Sequence, residues 1–192
     1  MAISQAAGAQ AGLIRWGHLR WVALAFAALA AAMLTDSIYF LNFIHVMCGV
    51  MWTGIDIFVG FVLGPALRQI EIPARRAIAI KLIPRMLFLM PSLAIITGTA
   101  GYVLAKRLGF LEIGYPEHLW VDAALVIIAI LTLQGLGVLL PANFLTCLEL
   151  QKERPDFAKL GRLMRVYVRH TGLQGALQVA IIVVMAKFVT GL

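Results

Sequence analysis

Five stretches of this chain are apolar over lengths that only a membrane rewards, and this property decides most of what the chain can fold into. They run from Trp16 to Leu34, Ile38 to Leu67, Ile80 to Ala105, Leu119 to Leu148 and Tyr167 to Val189. A segment needs about 20 predominantly apolar residues to cross a hydrocarbon layer roughly 30 Å thick. Within that layer water cannot satisfy backbone N–H and C=O groups, so each span must close its hydrogen bonds within itself as a helix. The expected fold is therefore all-α: an integral membrane protein of five transmembrane helices in an up-down bundle with the bilayer as its first partner. With 192 residues, of which 62% are hydrophobic and 13% charged, the spans leave no room for a soluble domain, and residues 1–192 read as a single membrane domain. The first span has basic flanks and an Ala-rich run, AFAALAAAM, and is read as a true span, not as a cleaved signal peptide.

The formal net charge of +7 would suit a nucleic-acid binder, but its distribution argues for topology instead. Arg15, Arg20, Arg68, Arg75, Arg76, Lys81, Lys152, Arg154, Lys159, Arg162, Arg165 and Arg169 fall on one side of the expected membrane, against Lys106, Arg107 and Lys187 on the other. By the positive-inside rule the N-terminus is expected in the cytoplasm and the C-terminus outside, in a bacterial-type inner membrane. The basic loops are read as topology and lipid contacts, with no nucleic acid as partner. Leu34-Thr35-Asp36-Ser37 reads as a tight external turn in which Asp36 or Ser37 caps the second span. Gln151 to Met164, interrupted by Pro155, reads as an amphipathic stretch at the cytoplasmic surface.

Ionisable groups inside hydrocarbon are expensive, so His45 and Asp56 of the second span are expected to face the bundle interior or a cofactor. At 100° per residue, Gly49, Trp52, Asp56 and Gly60 lie at about 40°, 340°, 20° and 60° from His45, a narrow stripe. Met47, Cys48 and Met51 point to the sides or away, and Met86 and Met90 are expected off the face of Arg85. His118, at the outer end of the fourth span, is expected near the depth of His45; His18 and His170 form an inner pair. Arg85 enters the third span from the basic side, and its expected partner is Asp56 or a cofactor carboxylate, with snorkelling to the headgroups as the competing arrangement. His170, Gln174, Gln178, Ile181 and Met185 share one face of the fifth span. A histidine with a glycine one turn away suits haem b, because a neutral imidazole ligates iron and the missing side chain lets the macrocycle approach the helix. The competing account of the same residues is a histidine that hydrogen-bonds Asp56 or a backbone carbonyl to hold helices together.

The segment HVMCGVMWTG, His45 to Gly54, reads H-x6-W-x-G. At the start of a membrane helix this pattern resembles the superfamily containing the copper-resistance D membrane proteins, the bacterial HemJ protoporphyrinogen oxidases and the membrane region of cytochrome-linked urate oxidases. The basic loop and the third span, with Arg85, Pro91 and Gly98-x-x-Gly101, are similar to the HemJ pattern. The resemblance implies a four-helix core over residues 38 to 190 with the first span as an addition, and haem b bound with His45 as ligand. One departure stands out: Arg169-His170-Thr171-Gly172 occupies the place of an acidic N-E-x-P segment in the last HemJ helix.

The leading expectation is a haem b membrane protein that passes electrons to a quinone or a cytochrome, with His45 and His118 as axial ligands, Trp52 against the ring and Arg85 neutralising a carboxylate. A second haem between His18 and His170 is a bolder version. The alternatives are a HemJ-like protoporphyrinogen oxidase, a copper transport or delivery protein, for which soft sulfur ligands speak, and an accessory subunit of a larger membrane complex or homo-oligomer.

Overall fold

A computed structural model describes residue 17 and residues 19–191, so His18 lies outside the described residues. Five helices follow one another: α1 (Leu19–Leu34), α2 (Ile38–Arg68), α3 (Ile72–Arg107), α4 (His118–Leu150) and α5 (Phe157–Thr190), with one 3-10 turn at Phe110–Glu112. No strand occurs among the described residues. Helices α2 to α5 are each long and apolar enough to cross a membrane, and α1 is a shorter apolar helix of 16 residues. The protein is thus the all-α membrane bundle that its apolar runs require.

Two helix starts differ from the sequence reading, for the same reason. Helix α3 begins at Ile72, not near Ile80, and α5 begins at Phe157, not near Tyr167. The Gln151–Met164 stretch is therefore not a separate surface element; from Phe157 onward it is the first part of α5. Pro155 ends the preceding turn, and Asp156 caps the new helix by accepting a hydrogen bond from the Lys159 amide at 3.0 Å. These basic first turns are helical without being apolar, so a reading by hydropathy starts them too late. Ser37 caps α2 as expected, its hydroxyl accepting from the Phe40 amide at 3.2 Å. Asp36 takes a left-handed φ of 54°, which a short polar side chain tolerates, and pairs with Arg107 at 2.8 Å. Arg107 also donates to the Met33 carbonyl at 2.6 Å, tying the α1–α2 turn to the end of α3.

Ile38, Arg107, His118 and Thr190 lie at one end of the bundle, the upper, and Arg68, Ile72, Leu150 and Phe157 at the other, the lower. Helix α2 packs on α3, and the upper half of α4 packs on α5, giving two antiparallel hairpins. The hairpins join in the lower half. There a Cβ built on Gly60 would lie 2.5 Å from Gly172 Cα, and one built on Gly64 would run into Val168. Beside this crossing, Ala79 and Ile83 of α3 pack with Cys147 and Leu150 of α4 and Leu160 of α5. The buried Glu149 carboxylate, its side chain 2% exposed, closes the α4–α5 turn by pairing with Lys152 at 2.8 Å and Lys159 at 3.0 Å. Helix α1 lies against the α2–α3 hairpin, where Leu29 and Ala32 pack on Leu41, Ile44, Ile96 and Ala100.

The ladders of α2 and α4 widen into π-helical turns at Phe58–Leu63 and Gly135–Leu139. Each lies just before a proline, Pro65 or Pro141. A proline ring crowds the carbonyl four residues earlier, and a wider turn relieves it by shifting the bonding to i−5. The Gly64 amide bonds the Val59 carbonyl, and the Leu140 amide the Gly135 carbonyl, accordingly.

Gly60→Ala must push the hairpins apart and is expected to destabilise the protein by about 1–3 kcal/mol. Gly54→Ala, whose new methyl meets nothing within 4 Å, is expected to stay within about 0.5 kcal/mol of the parent. Thermal unfolding of both variants in detergent checks the crossing; equal midpoints would show that the hairpins do not meet there.

Candidate functional site

Above the Gly60–Gly172 crossing the hairpins diverge, and the gap between them is a cavity of about 1100 Å³ walled by α2, α3, α4 and α5. Pockets that hold a drug-sized molecule run from about 300 to 1,000 Å³, so this one takes a large ligand. Its walls are predominantly apolar, and Phe110 and Phe188, their ring centroids 4.9 Å apart, cross its upper end. Val46 and Val50 of α2 and Leu125 and Leu136 of α4 line it yet are exposed, so it opens sideways on the apolar surface of the bundle.

His45, Gly49, Trp52 and Asp56 all line this cavity, as their shared stripe on α2 leads one to expect. The fifth member, Gly60, continues the stripe downward into the helix crossing. His45 is half-buried at the upper part, its Nδ1 2.9 Å from the Thr97 carbonyl oxygen of α3. A carbonyl oxygen only accepts, so Nδ1 carries the proton and donates it, which leaves Nε2 as the lone-pair nitrogen. Nε2 makes no hydrogen bond among the described residues. The imidazole lies against Gly101 of α3: a Cβ there would sit 2.6 Å from His45 Cε1. A glycine at 101 is what lets the ring occupy this place. Gly49 is less constrained, since a Cβ would meet the Thr97 methyl at 3.4 Å, an ordinary contact.

The lower end of the cavity is polar. Asp56, 1% exposed, accepts a hydrogen bond from Gln178 Nε2 at 3.0 Å, with the Gln174 and Trp52 side chains beside it. Tyr167 faces the same carboxylate, flanked by Asn143 and Thr171. Tyr167, Thr171, Gln174 and Gln178 recur at helical spacing along one face of α5. That pattern is the signal in the sequence for this group, and it already puts the two glutamines on one face; Asn143 joins them from α4.

The remaining expected residues lie elsewhere. Arg85 does not pair with Asp56; it is exposed, and its guanidinium donates to the Lys81 carbonyl. Three amide- and indole-bearing side chains satisfy the carboxylate instead, and the arginine takes the competing course toward the lower surface. His118 lies at the upper end as expected but does not line the cavity: its Nδ1 lies 3.0 Å from the Ile113 carbonyl, and its Nε2 3.6 Å from Asp122. His170 is held by Gln134, whose amide donates to the His170 carbonyl at 2.8 Å, and it too stays off the cavity wall. Met47 and Met51 are exposed, whereas Met86 and Met90 line the cavity and Arg85 does not, so these two methionines lie off the face of Arg85. No group of three or more histidine, cysteine or acidic side chains able to hold a metal ion occurs among the described residues.

The cavity and His45 fit a flat macrocycle with a metal centre. An imidazole with one nitrogen anchored on a backbone carbonyl and the other unpaired is the usual arrangement of a metal-ligating histidine. The cavity's apolar walls and its size suit the rest of such a group, and Tyr39, Asn42 and Tyr102 provide polar groups toward its upper mouth. The fit holds for one axial ligand from α2. Together these features define a multi-pass helical membrane protein whose bundle holds a ligand cavity open to the lipid. No protein-family model, curated protein or solved structure matches the chain.

Asp56 and Gln178 are expected to behave as a unit. Gln178→Leu removes a donor from a buried carboxyl and is expected to cost about 1–3 kcal/mol. Adding Asp56→Leu should recover most of that loss, because an apolar pair needs no partner. Unfolding of the two single variants and the double variant in detergent measures the coupling, and additive losses would show that the side chains act separately.

Proposed function

We propose that this protein binds haem b between its hairpins and passes electrons in a membrane, with His45 Nε2 as the residue atom that would hold the iron. The observation that carries this reading is the donation from His45 Nδ1 to the Thr97 carbonyl, which leaves Nε2 as a lone-pair nitrogen on a residue that lines a cavity of macrocycle size. The likeness of HVMCGVMWTG to the copper-resistance D and HemJ superfamily points the same way.

Haem b held there supplies a one-electron couple. The chain's own residues do the rest. Thr97 fixes the tautomer and aim of the imidazole, Gly101 makes room for the ring, and Trp52 offers an aromatic wall deeper in the cavity. The apolar walls from α4 and α5 would keep water from the His45 imidazole. The partner in electron transfer is a lipid-soluble quinone or a cytochrome. The excess of Lys and Arg at the lower end supports our reading that this end faces the cytoplasm, with the His45 level toward the outside of a bacterial-type inner membrane.

A second reading, a HemJ-like oxidase acting on protoporphyrinogen, is favoured by the sideways opening, through which a tetrapyrrole substrate could pass from the bilayer. Complementation of a strain lacking protoporphyrinogen oxidase separates it from electron transfer.

The purified protein is expected to show sharp b-type bands on reduction with dithionite and a positive pyridine haemochrome assay. His45→Ala should abolish the bands, and Gly101→Ala, which drives a methyl into the imidazole, should weaken or shift them. His118→Ala should retain them, since its ring is engaged by Ile113 and Asp122. A colourless parent protein, expressed with adequate haem supply, would overturn the reading.

A further inference from the structure

The polar floor of the cavity is not needed to ligate a metal at His45. Asp56 lies eleven residues further along α2, about 16 Å at the helical rise. Asn143, Gln174 and Gln178 line the cavity around it and are 4%, 3% and 1% exposed. The amide oxygen of each has no hydrogen-bond partner. Their orientations are not arbitrary, because a carboxylate oxygen accepts only donors. Gln178 therefore turns its NH2 to Asp56 and is left with a free Oε1. Gln174, beside the same carboxylate, is subject to the same demand. A buried acceptor left unpaired costs about 1–3 kcal/mol, and here two flank the Asp56 carboxyl while the third, on Asn143, lies beside Tyr167, so a donor entering the cavity floor is favoured. Among the described residues no lysine, arginine or histidine forms an ion pair with Asp56, and no Lys or Arg lines the cavity.

The donor that fits must pass apolar walls and arrive from the lipid side. It also meets an aromatic side chain, Trp52, next to the carboxyl. We infer that the floor formed by Asp56, Gln174, Gln178 and Asn143 binds the ring of a lipid-soluble hydroquinone, its hydroxyl hydrogen donated to these oxygens. The inference deepens the redox reading of the same cavity, by naming the class of its lipid-soluble partner, and rests on that reading for its meaning. A quinone presents carbonyl oxygens where the hydroquinone presents O–H groups, so acceptors facing acceptors disfavour the oxidised form. A fatty alcohol presents the donor without the ring that Trp52 can stack against.

Equilibrium binding of decyl-benzohydroquinone, decyl-benzoquinone and dodecanol to the full chain in detergent, without oxygen, tests this. The hydroquinone is expected to bind at least tenfold more tightly than either of the others. Asp56→Asn, which replaces an acceptor by a donor pair at constant shape, should remove that preference. Gln174→Leu should reduce hydroquinone affinity several-fold and serves as the second variant if Asp56→Asn does not fold. Equal affinity for the two redox forms, equal affinity for dodecanol, or a preference that survives in both variants overturns the inference and leaves the floor to ordered water. The outcome is independent of haem. A colourless protein that keeps an Asp56-dependent preference would sink the haem reading alone, whereas a pigmented protein without the preference would sink only the hydroquinone site.

Discussion

The crossing of Gly60 and Gly172 sets the spacing of everything above it. Lipid tails are as apolar as leucine, so helices in a membrane gain little by hiding hydrophobic side chains from their surroundings; close packing and polar contacts hold them instead. Two glycines let the α2 and α5 backbones approach at one level, and Gly64 and Gly175 continue that contact on either side. Clamped low, the hairpins diverge upward, and the cavity is the space that this leaves. Both π-helical turns sit at this joint. One contains Gly60; the other begins at Gly135, whose Cβ position is 4.0 Å from Gln174 Oε1. Pro65 and Pro141 thus shape the two helices where they bear on α5.

The same joint explains why polar groups at mid-membrane depth are arranged in two levels. Above, His45 is the one imidazole on the cavity wall among the described residues, and a backbone carbonyl with a lone pair to spare satisfies its N–H. Below, where helices are close enough for side chains to reach across, Asp56 meets Gln178 of α5 directly. A histidine anchored on backbone keeps a fixed aim whatever its neighbours do. A carboxyl anchored on flexible amides can rearrange. On the proposed reading the upper level suits a rigid, directional bond, and the lower suits hydrogen bonding that can adapt.

What could be read from the sequence follows from which geometries are local. The turn of a helix is fixed at 100° per residue, so the stripe of His45, Gly49, Trp52 and Asp56 is legible without knowing any partner. Depth is nearly as local, since it follows from counting residues, and His118 does lie at the upper end. Rotation of one helix about its axis against another is not local. Whether Arg85 or Gln178 reaches Asp56 depends on it, as does whether Met86 and Met90 see the cavity. His118 shows a further limit: Ile113 and Asp122, close in sequence, engage its ring before any distant ligand can. Hydropathy likewise locates the middle of every long helix and misses the basic first turns of α3 and α5, because those starts carry Pro73 in the first turn or the Asp156 cap rather than apolar content.

Helix α1 adds little to the cavity, and its position explains what it adds to the protein. It packs on Leu41, Ile44, Ile96, Ala100 and Leu104, one face round from the side of α2 and α3 that carries His45, Thr97 and Gly101. The His45–Thr97 bond spans α2 and α3, so it is only as constant as the register between those two helices. A third helix wedged along them, and fastened at the upper end by Arg107 to Asp36 and the Met33 carbonyl, resists sliding of one against the other. Among the described residues the α4–α5 hairpin has no such brace along its upper half. The wall that carries His45 is accordingly the braced one, and the opposite wall rests on the lower crossing.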